Sequence, residues 1–260
     1  MVVSFSGIDG AGKTTQINLL IEYCKDHNIS CIRKWSKARG TPGVMWLKRL
    51  VRRDKHLNTE EKLEYREKIF QTGWKKRLLL TASLLDLCWF WGVYFRIIRH
   101  RYDLVTLDRY IWDTYVEVLT EFGKDALTKS ILWKIVKLVA IKPEKSILLV
   151  IPPEESLRRD LLKGEITTDE LELKQEKVSL YIQQKERFAW NVVIDAMQSI
   201  EETFQTILSS IGMPANKKSS KNCAKFVDVG REKNSSTKRP PPVRQPEYKS
   251  RYKSISRFQR

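Results

Sequence analysis

The sequence predicts an α/β fold: a five-stranded parallel sheet flanked by helices. Three observations carry this. Five short apolar runs read as strands, at Val2–Ser6, Ser30–Trp35, Asp103–Leu107, Ser146–Ile151 and Asn191–Ile194. Helix-forming sequence separates them, and such alternation leads to parallel pairing with both sheet faces covered. A glycine-rich stretch, Gly7-Ile8-Asp9-Gly10-Ala11-Gly12-Lys13-Thr14, follows the first run and opens directly into an amphipathic segment.

Taken in order, the elements explain themselves. Val2–Ser6 is a short apolar run, as expected of a strand covered on both sides. In the segment after the loop, Ile17, Leu20, Ile21 and Cys24 recur at i, i+3, i+4 and i+7, so one helical face is apolar. Helix-forming sequence then fills 60–98, 111–141 and 153–190. Within the first of these, residues 78–95 (LLLTASLLDLCWFWGVYF) are long enough to cross a bilayer. Asp86 in the middle is costly in lipid, and the segment lies between two strands of one sheet, so a buried helix is expected. Its aromatic cluster, Trp89, Phe90, Trp91, Tyr94 and Phe95, reads as core or subunit interface, with base stacking as the alternative. The last helix, SIEETFQTILSSIG, stops at Gly212 and Pro214.

Composition divides the chain at residue 214. Residues 215–260 hold 14 Lys and Arg against 3 Asp and Glu, a net +11 that leaves +6 of the formal +17 for residues 1–214. The second segment is rich in Ser and Pro and poor in aliphatic residues, so it cannot offset its ordering entropy by burial. A folded domain over 1–214 and a disordered basic C-terminal tail over 215–260 are the expected organisation. Such a tail would bind nucleic acid through counterion release, with Tyr248, Tyr252 and Phe258 available for stacking, or an anionic membrane surface; it reads equally as a solubilising extension. The four cysteines and three histidines show no metal spacing, and the N-terminus has no signal-peptide pattern. These features point to a reducing, cytoplasmic setting.

The loop carries the chemistry. It matches G-x-x-x-x-G-K-[ST], the phosphate-binding P-loop pattern. Glycines let the backbone wrap closely round phosphate oxygens, and the following helix adds its positive end. Gly7, Asp9, Gly10, Ala11, Gly12, Lys13, Thr14 and Thr15 are the expected nucleotide-polyphosphate-binding set, with Lys13 reaching the β- and γ-phosphates and Thr14 placing its hydroxyl on Mg²⁺. At the third strand's end, Asp108 is the second expected Mg²⁺ ligand and Arg109 a fork for an acceptor phosphate. A GTPase would carry an NKxD motif; the nearest string, Asn216-Lys217-Lys218-Ser219, lacks the Asp. An ABC-type signature loop is also missing from the sequence, leaving a small-acceptor kinase as the best fit.

FSGIDGAGKTTQ, VTLDRY, ILLVIPPEESLRR and WNVVIDAMQSIEETFQTI together resemble thymidylate kinase and its relatives, over about 1–210 and in the family's order. The resemblance implies a P-loop NTPase fold of the nucleoside-monophosphate-kinase type, a homodimer, and γ-phosphoryl transfer from ATP·Mg²⁺ to dTMP. It places Asp9 on the acceptor's sugar hydroxyl and Arg109 on the acceptor phosphate, and it matches Arg39, in Lys37–Gly43, to an acceptor-site arginine. Three positions depart from the pattern. Leu84 stands where a base-contacting arginine is expected, and Thr114 and Glu117 replace the residues that police the sugar. The loop also has no arginine beside its Gly10-Ala11, so transition-state charge has to be met elsewhere; Arg158, Arg159 and Lys163 are the lid candidates, against a solvated helix face as the simpler reading. The expected function is therefore phosphoryl transfer to a nucleoside monophosphate. A kinase for another small acceptor, or a non-catalytic nucleotide-binding protein acting through its tail, is the alternative.

Overall fold

A computed structural model describes residues 1–35, 73–123, 125–162, 171–183, 188 and 190–214. All of them lie in the first of two units of the chain, Met1–Phe226. Arg39, Lys163 and the segment 215–260 fall outside the described residues.

The strands are β1 (Val2–Ser6), β2 (Cys31–Trp35), β3 (Leu104–Asp108), β4 (Lys145–Val150) and β5 (Val192–Asp195). The helices are α1 (Lys13–Asp26), α2 (Gly73–Trp89), α3 (Phe95–Ile98), α4 (Ile111–Phe122), α5 (Asp125–Thr128), α6 (Ile131–Val139), α7 (Pro153–Leu162), α8 (Leu171–Gln183) and α9 (Ile200–Ser210). A single π-helical stretch, Phe90–Tyr94, joins α2 to α3. The five strands form one all-parallel sheet in the order β2-β3-β1-β4-β5.

This order positions the site. β1 lies at the centre, with β3 on one side and β4 on the other, so successive crossovers leave it in opposite directions. The carboxyl end of such a strand opens a crevice between the diverging connections. Register brings the neighbours level there: Phe5 pairs with Asp108, and Ser6 with Leu148. The glycine-rich loop, the Asp108–Arg109 corner and the start of α7 therefore share one rim.

Burial follows the pattern read from sequence where strands are concerned. β1 and β3 are buried along their whole length, and β2 is only half-buried at the sheet edge. Ile17, Leu20 and Cys24 of α1 are buried as the spacing predicts. α9 is closed by a capping box, in which Ser199 Oγ accepts from the Glu202 N–H while the Glu202 carboxylate accepts from the Ser199 N–H.

The segment 78–95 is buried on one face only. Leu84, Leu87, Phe90, Trp91 and Phe95 enter the core, while Leu78, Leu85, Trp89 and Val93 are exposed. The aromatic cluster is split accordingly, with Trp89 stacked on Tyr94 outside and Trp91 packed edge-on against Phe95 inside. Across Arg77–Ile98 the helix is long and apolar enough to cross a membrane, and a third of its most apolar window is buried.

Candidate functional site

The loop after β1 adopts three left-handed turns, at Gly7, Gly10 and Gly12; a side chain has no room at Gly7 and little at Gly10. A Cβ at Gly7 would lie 2.3 Å from the Leu149 carbonyl oxygen, and one at Gly10 would lie 3.1 Å from that of Ser156. The loop is thus pressed against β4 and α7. It ends at Gly12, which caps α1, so the first N–H groups of that helix lack intrahelical acceptors and face the rim.

Lys13 is the first residue of α1 and is buried. Its ammonium donates to the carbonyls of Gly7 and Ile8, at 2.9 and 2.7 Å. Burial, helped by the nearby Arg109 charge, lowers its pKa to about 7, against the opposing pull of Asp9, Asp113 and Asp108. The amine is therefore near the balance between charged and neutral forms at neutral pH.

Arg109 stands next to this lysine. Its backbone is left-handed, with φ 77°, a conformation rare for a side chain other than Gly, Asn or Asp. Its guanidinium pairs with Asp9, lies 3.4 Å from the Gly7 carbonyl and 3.7 Å from Asp113. Burial pulls the Arg109 pKa down, but Asp9 and Asp113 outweigh it and the group is held charged. Of the three residues predicted for the acceptor, Asp9 and Arg109 thus meet, and Arg39 lies outside the described residues.

Beneath them lies a carboxylate that sequence reasoning missed. Asp113, in the first turn of α4, accepts from Ser6 Oγ at 2.6 Å, the Tyr110 N–H at 2.8 Å, Tyr181 Oη at 2.7 Å and the Gly7 N–H at 3.4 Å. Tyr181 is buried against this charge, so burial first and then Asp113 raise its pKa well above the ordinary value and keep it a donor. An acid in the first turn of the helix after Asp108-Arg109-Tyr110 was the available signal.

A second buried network holds the other side of the loop. Lys174 Nζ donates to Asp160 Oδ2 at 2.6 Å and to Ser156 Oγ at 2.9 Å, and Ser156 Oγ donates to the Asp9 carbonyl at 2.7 Å. Arg159 adds a bond from Nη1 to the Gly10 carbonyl at 3.1 Å. Of the predicted lid cations, Arg159 therefore touches the loop backbone, whereas Arg158 is exposed and forks onto Glu155. The Arg158 hydrogen bond, with Arg159 behind it, depresses the Glu155 pKa to about 2.

The predicted metal ligands also come together, around an unforeseen third residue. Arg33 of β2 pairs with Asp108 and reaches Thr14 Oγ1 at 3.4 Å. The hydroxyl and carboxylate are the hard oxygen donors that Mg²⁺ takes. No group of three or more His, Cys, Asp or Glu that could hold a metal ion occurs among the described residues.

No protein-family model matches this chain.

At the departures from the expected pattern, Leu84 is buried in the core. Glu117 is half-buried and close enough to Arg109 and Tyr181 to act on both. Thr15 is half-buried beside Thr14, and Ala11 is buried under the loop.

Proposed function

We propose that this chain is a P-loop phosphotransferase of the nucleoside-monophosphate-kinase type, moving the γ-phosphoryl group of ATP to a small phosphorylated acceptor, with dTMP the first candidate. The observation that carries the reading is the meeting of Lys13, Asp9 and Arg109 on the rim of the central strand. Lys13 already offers its ammonium to the carbonyls that line the loop. A polyphosphate in the loop would draw that ammonium and raise its pKa.

The transfer would be in line: an acceptor phosphate oxygen attacks the γ-phosphorus as its bond to the β-γ bridging oxygen breaks, and the pair of electrons leaves on ADP. Arg109 would fork onto the acceptor phosphate, held at its angle by Asp9 and Asp113. Asp9 would orient the acceptor's hydroxyl. Lys13 and the α1 N–H groups would stabilise charge spreading over the moving group. Thr14 and Asp108 would hold Mg²⁺, which would supply charge neutralisation to the phosphates. An acceptor that is already an oxyanion needs little general-base help, which suits a site whose buried carboxylate, Asp113, is fully occupied with donors.

A second acceptor class is favoured by one residue. Leu84 is packed in the core and offers no hydrogen bond to a base. The deciding experiment is ADP release by the full chain with ATP·Mg²⁺ and each of dTMP, dUMP, other monophosphates and sugar phosphates. Acceptor-dependent release is expected, and Lys13→Met should lower it by about a hundredfold or more. Turnover on a sugar phosphate alone would keep the phosphotransferase and exchange its acceptor. Bound ATP with no acceptor-dependent ADP would overturn the reading.

A further inference from the structure

Arg33 is the residue of the site with no role in the proposed transfer. It sits on the edge strand β2, level with Thr106 and two residues short of the level of Asp108. Its guanidinium reaches three oxygens: the Asp108 carboxylate, Thr14 Oγ1 at 3.4 Å and Asn18 Oδ1 at 3.5 Å. One of these comes from the end of β3 and two from the first turns of α1. The planar fork suits that spread of acceptors, which a lysine could not span.

We infer that Arg33 is a resident counter-cation of the Thr14–Asp108 pair, which a divalent ion must displace before it can bind there. This rests on the nucleotide-phosphate reading of the loop. The two cations compete for the same oxygens: the arginine's positive charge repels the incoming ion, and Asp108 Oδ2 is already engaged by the guanidinium. Exchange is open to Arg33 because its side chain is 32% exposed, whereas Asp108 is only 7% exposed. The arginine can swing toward solvent from the sheet edge; the aspartate cannot. The site therefore alternates between an arginine-held and a metal-held form, and the apparent divalent affinity is reduced by the fraction held by Arg33. In the arginine-held form the guanidinium takes over part of the charge neutralisation that a metal supplies, so a nucleoside diphosphate binds without a divalent ion better than it otherwise would.

The test uses the full chain, ADP and Mn²⁺. Free Mn²⁺ is followed by electron paramagnetic resonance as it is titrated into ADP-saturated wild type, Arg33→Met and Arg33→Gln. ADP affinity is measured separately by calorimetry with EDTA. Both variants should bind Mn²⁺ about tenfold more tightly than wild type, and bind ADP in EDTA about tenfold more weakly, within the ordinary range for two coupled ligands. A merely structural Arg33 would weaken both. Glutamine keeps a hydrogen bond to Asp108 without the charge, so agreement of the two variants separates charge from packing, and thermal melting checks that each is folded. Unchanged or weakened Mn²⁺ affinity in either folded variant overturns the inference while leaving the nucleotide reading in place. Failure of wild type to bind ADP with or without Mn²⁺ overturns the nucleotide reading, and this inference with it.

Discussion

The two flanks of the glycine-rich loop are held by different kinds of structure. On the β3 flank, one carboxylate, Asp113, gathers donors from β1, the turn before α4 and α8, and its neighbour Arg109 closes back onto the loop. On the β4 flank, the grip is a relay: Lys174 holds Asp160 and Ser156, and Ser156 holds the Asp9 carbonyl. The first is a hub, in which every bond ends on the same two oxygens. The second is a chain linking α7 and α8 to the loop by single hydrogen bonds. Removing the centre of a hub frees all its donors at once. Breaking a relay frees one link, and a suitable second change can restore the rest.

The largest effect should come from the hub. Asp113→Ala leaves Ser6, Tyr181 and two backbone N–H groups without their acceptor and Arg109 with one fewer counter-charge. A loss of about 3–5 kcal/mol is expected, the range for breaking a buried charged pair. Urea unfolding followed by circular dichroism measures it. A loss under about 1 kcal/mol would mean that the hub is not the stronger grip.

The relay should show a different signature. Lys174→Met buries Asp160 without its cation, because both groups lie deep between α7 and α8. Destabilisation by about 3 kcal/mol is expected. Adding Asp160→Leu should recover most of it, since a well-packed apolar pair often replaces a buried ion pair without cost. No such rescue is expected for Asp113. If the double variant is as unstable as the single one, the relay behaves as a hub and the distinction fails.

Lys13 reports on the β3 flank through pH. Its folded pKa is lowered to about 7 from an ordinary 10.5, so between those values the unfolded chain holds more protons. Its contribution makes stability rise with pH across that window. The same balance means that polyphosphate binding near neutral pH should take up protons, detectable by calorimetry in buffers of different ionisation enthalpy. Asp113 raises the Lys13 pKa, so Asp113→Asn should move the proton uptake to lower pH, provided the variant folds.

The smallest effect belongs to the outer face of the relay helix. Arg158 is exposed, and its fork onto Glu155 is a surface pair. Arg158→Ala should change stability by less than about 1 kcal/mol at neutral pH. It should also flatten the acid limb: the depressed Glu155 supports the fold above its ordinary pKa of 4.5 and loses that support as pH falls toward 2. Thermal melts between pH 2 and 5 would show the difference.

How much of this was legible in the sequence depends on the distance between partners. Each of the five strands lies within one residue of its apolar run at either end, and the pattern is plainest for β1 and β3, which are buried along their whole length. The loop and Asp108-Arg109 were legible because each motif is contiguous. Asp9 and Arg109 were expected at one site, although nothing in the sequence says that they touch. The hub joins Ser6, Asp113 and Tyr181, which lie far apart in the chain, and only the topology brings them together. Arg33 was hidden for the same reason, with 75 residues separating it from Asp108. The segment 78–95 failed differently. Asp86 and the flanking strands argued for a buried helix but say nothing about which side is covered, so the open face through Leu85, Trp89 and Val93 was not told apart from the buried one.

That open face bears on how molecules of this protein meet one another in salt. Leu85, Trp89 and Val93 stand exposed, and Ile131 and Leu138 are exposed on α6, Leu138 to 83%. A formal charge of +17 keeps copies apart at low ionic strength, and added salt screens that repulsion beyond about 10 Å at 0.1 M. Excluded salts such as sulfate strengthen apolar attraction at the same time. The second virial coefficient should therefore fall from positive toward negative as sulfate is raised, with charge governing one end of the range and the uncovered helix face the other.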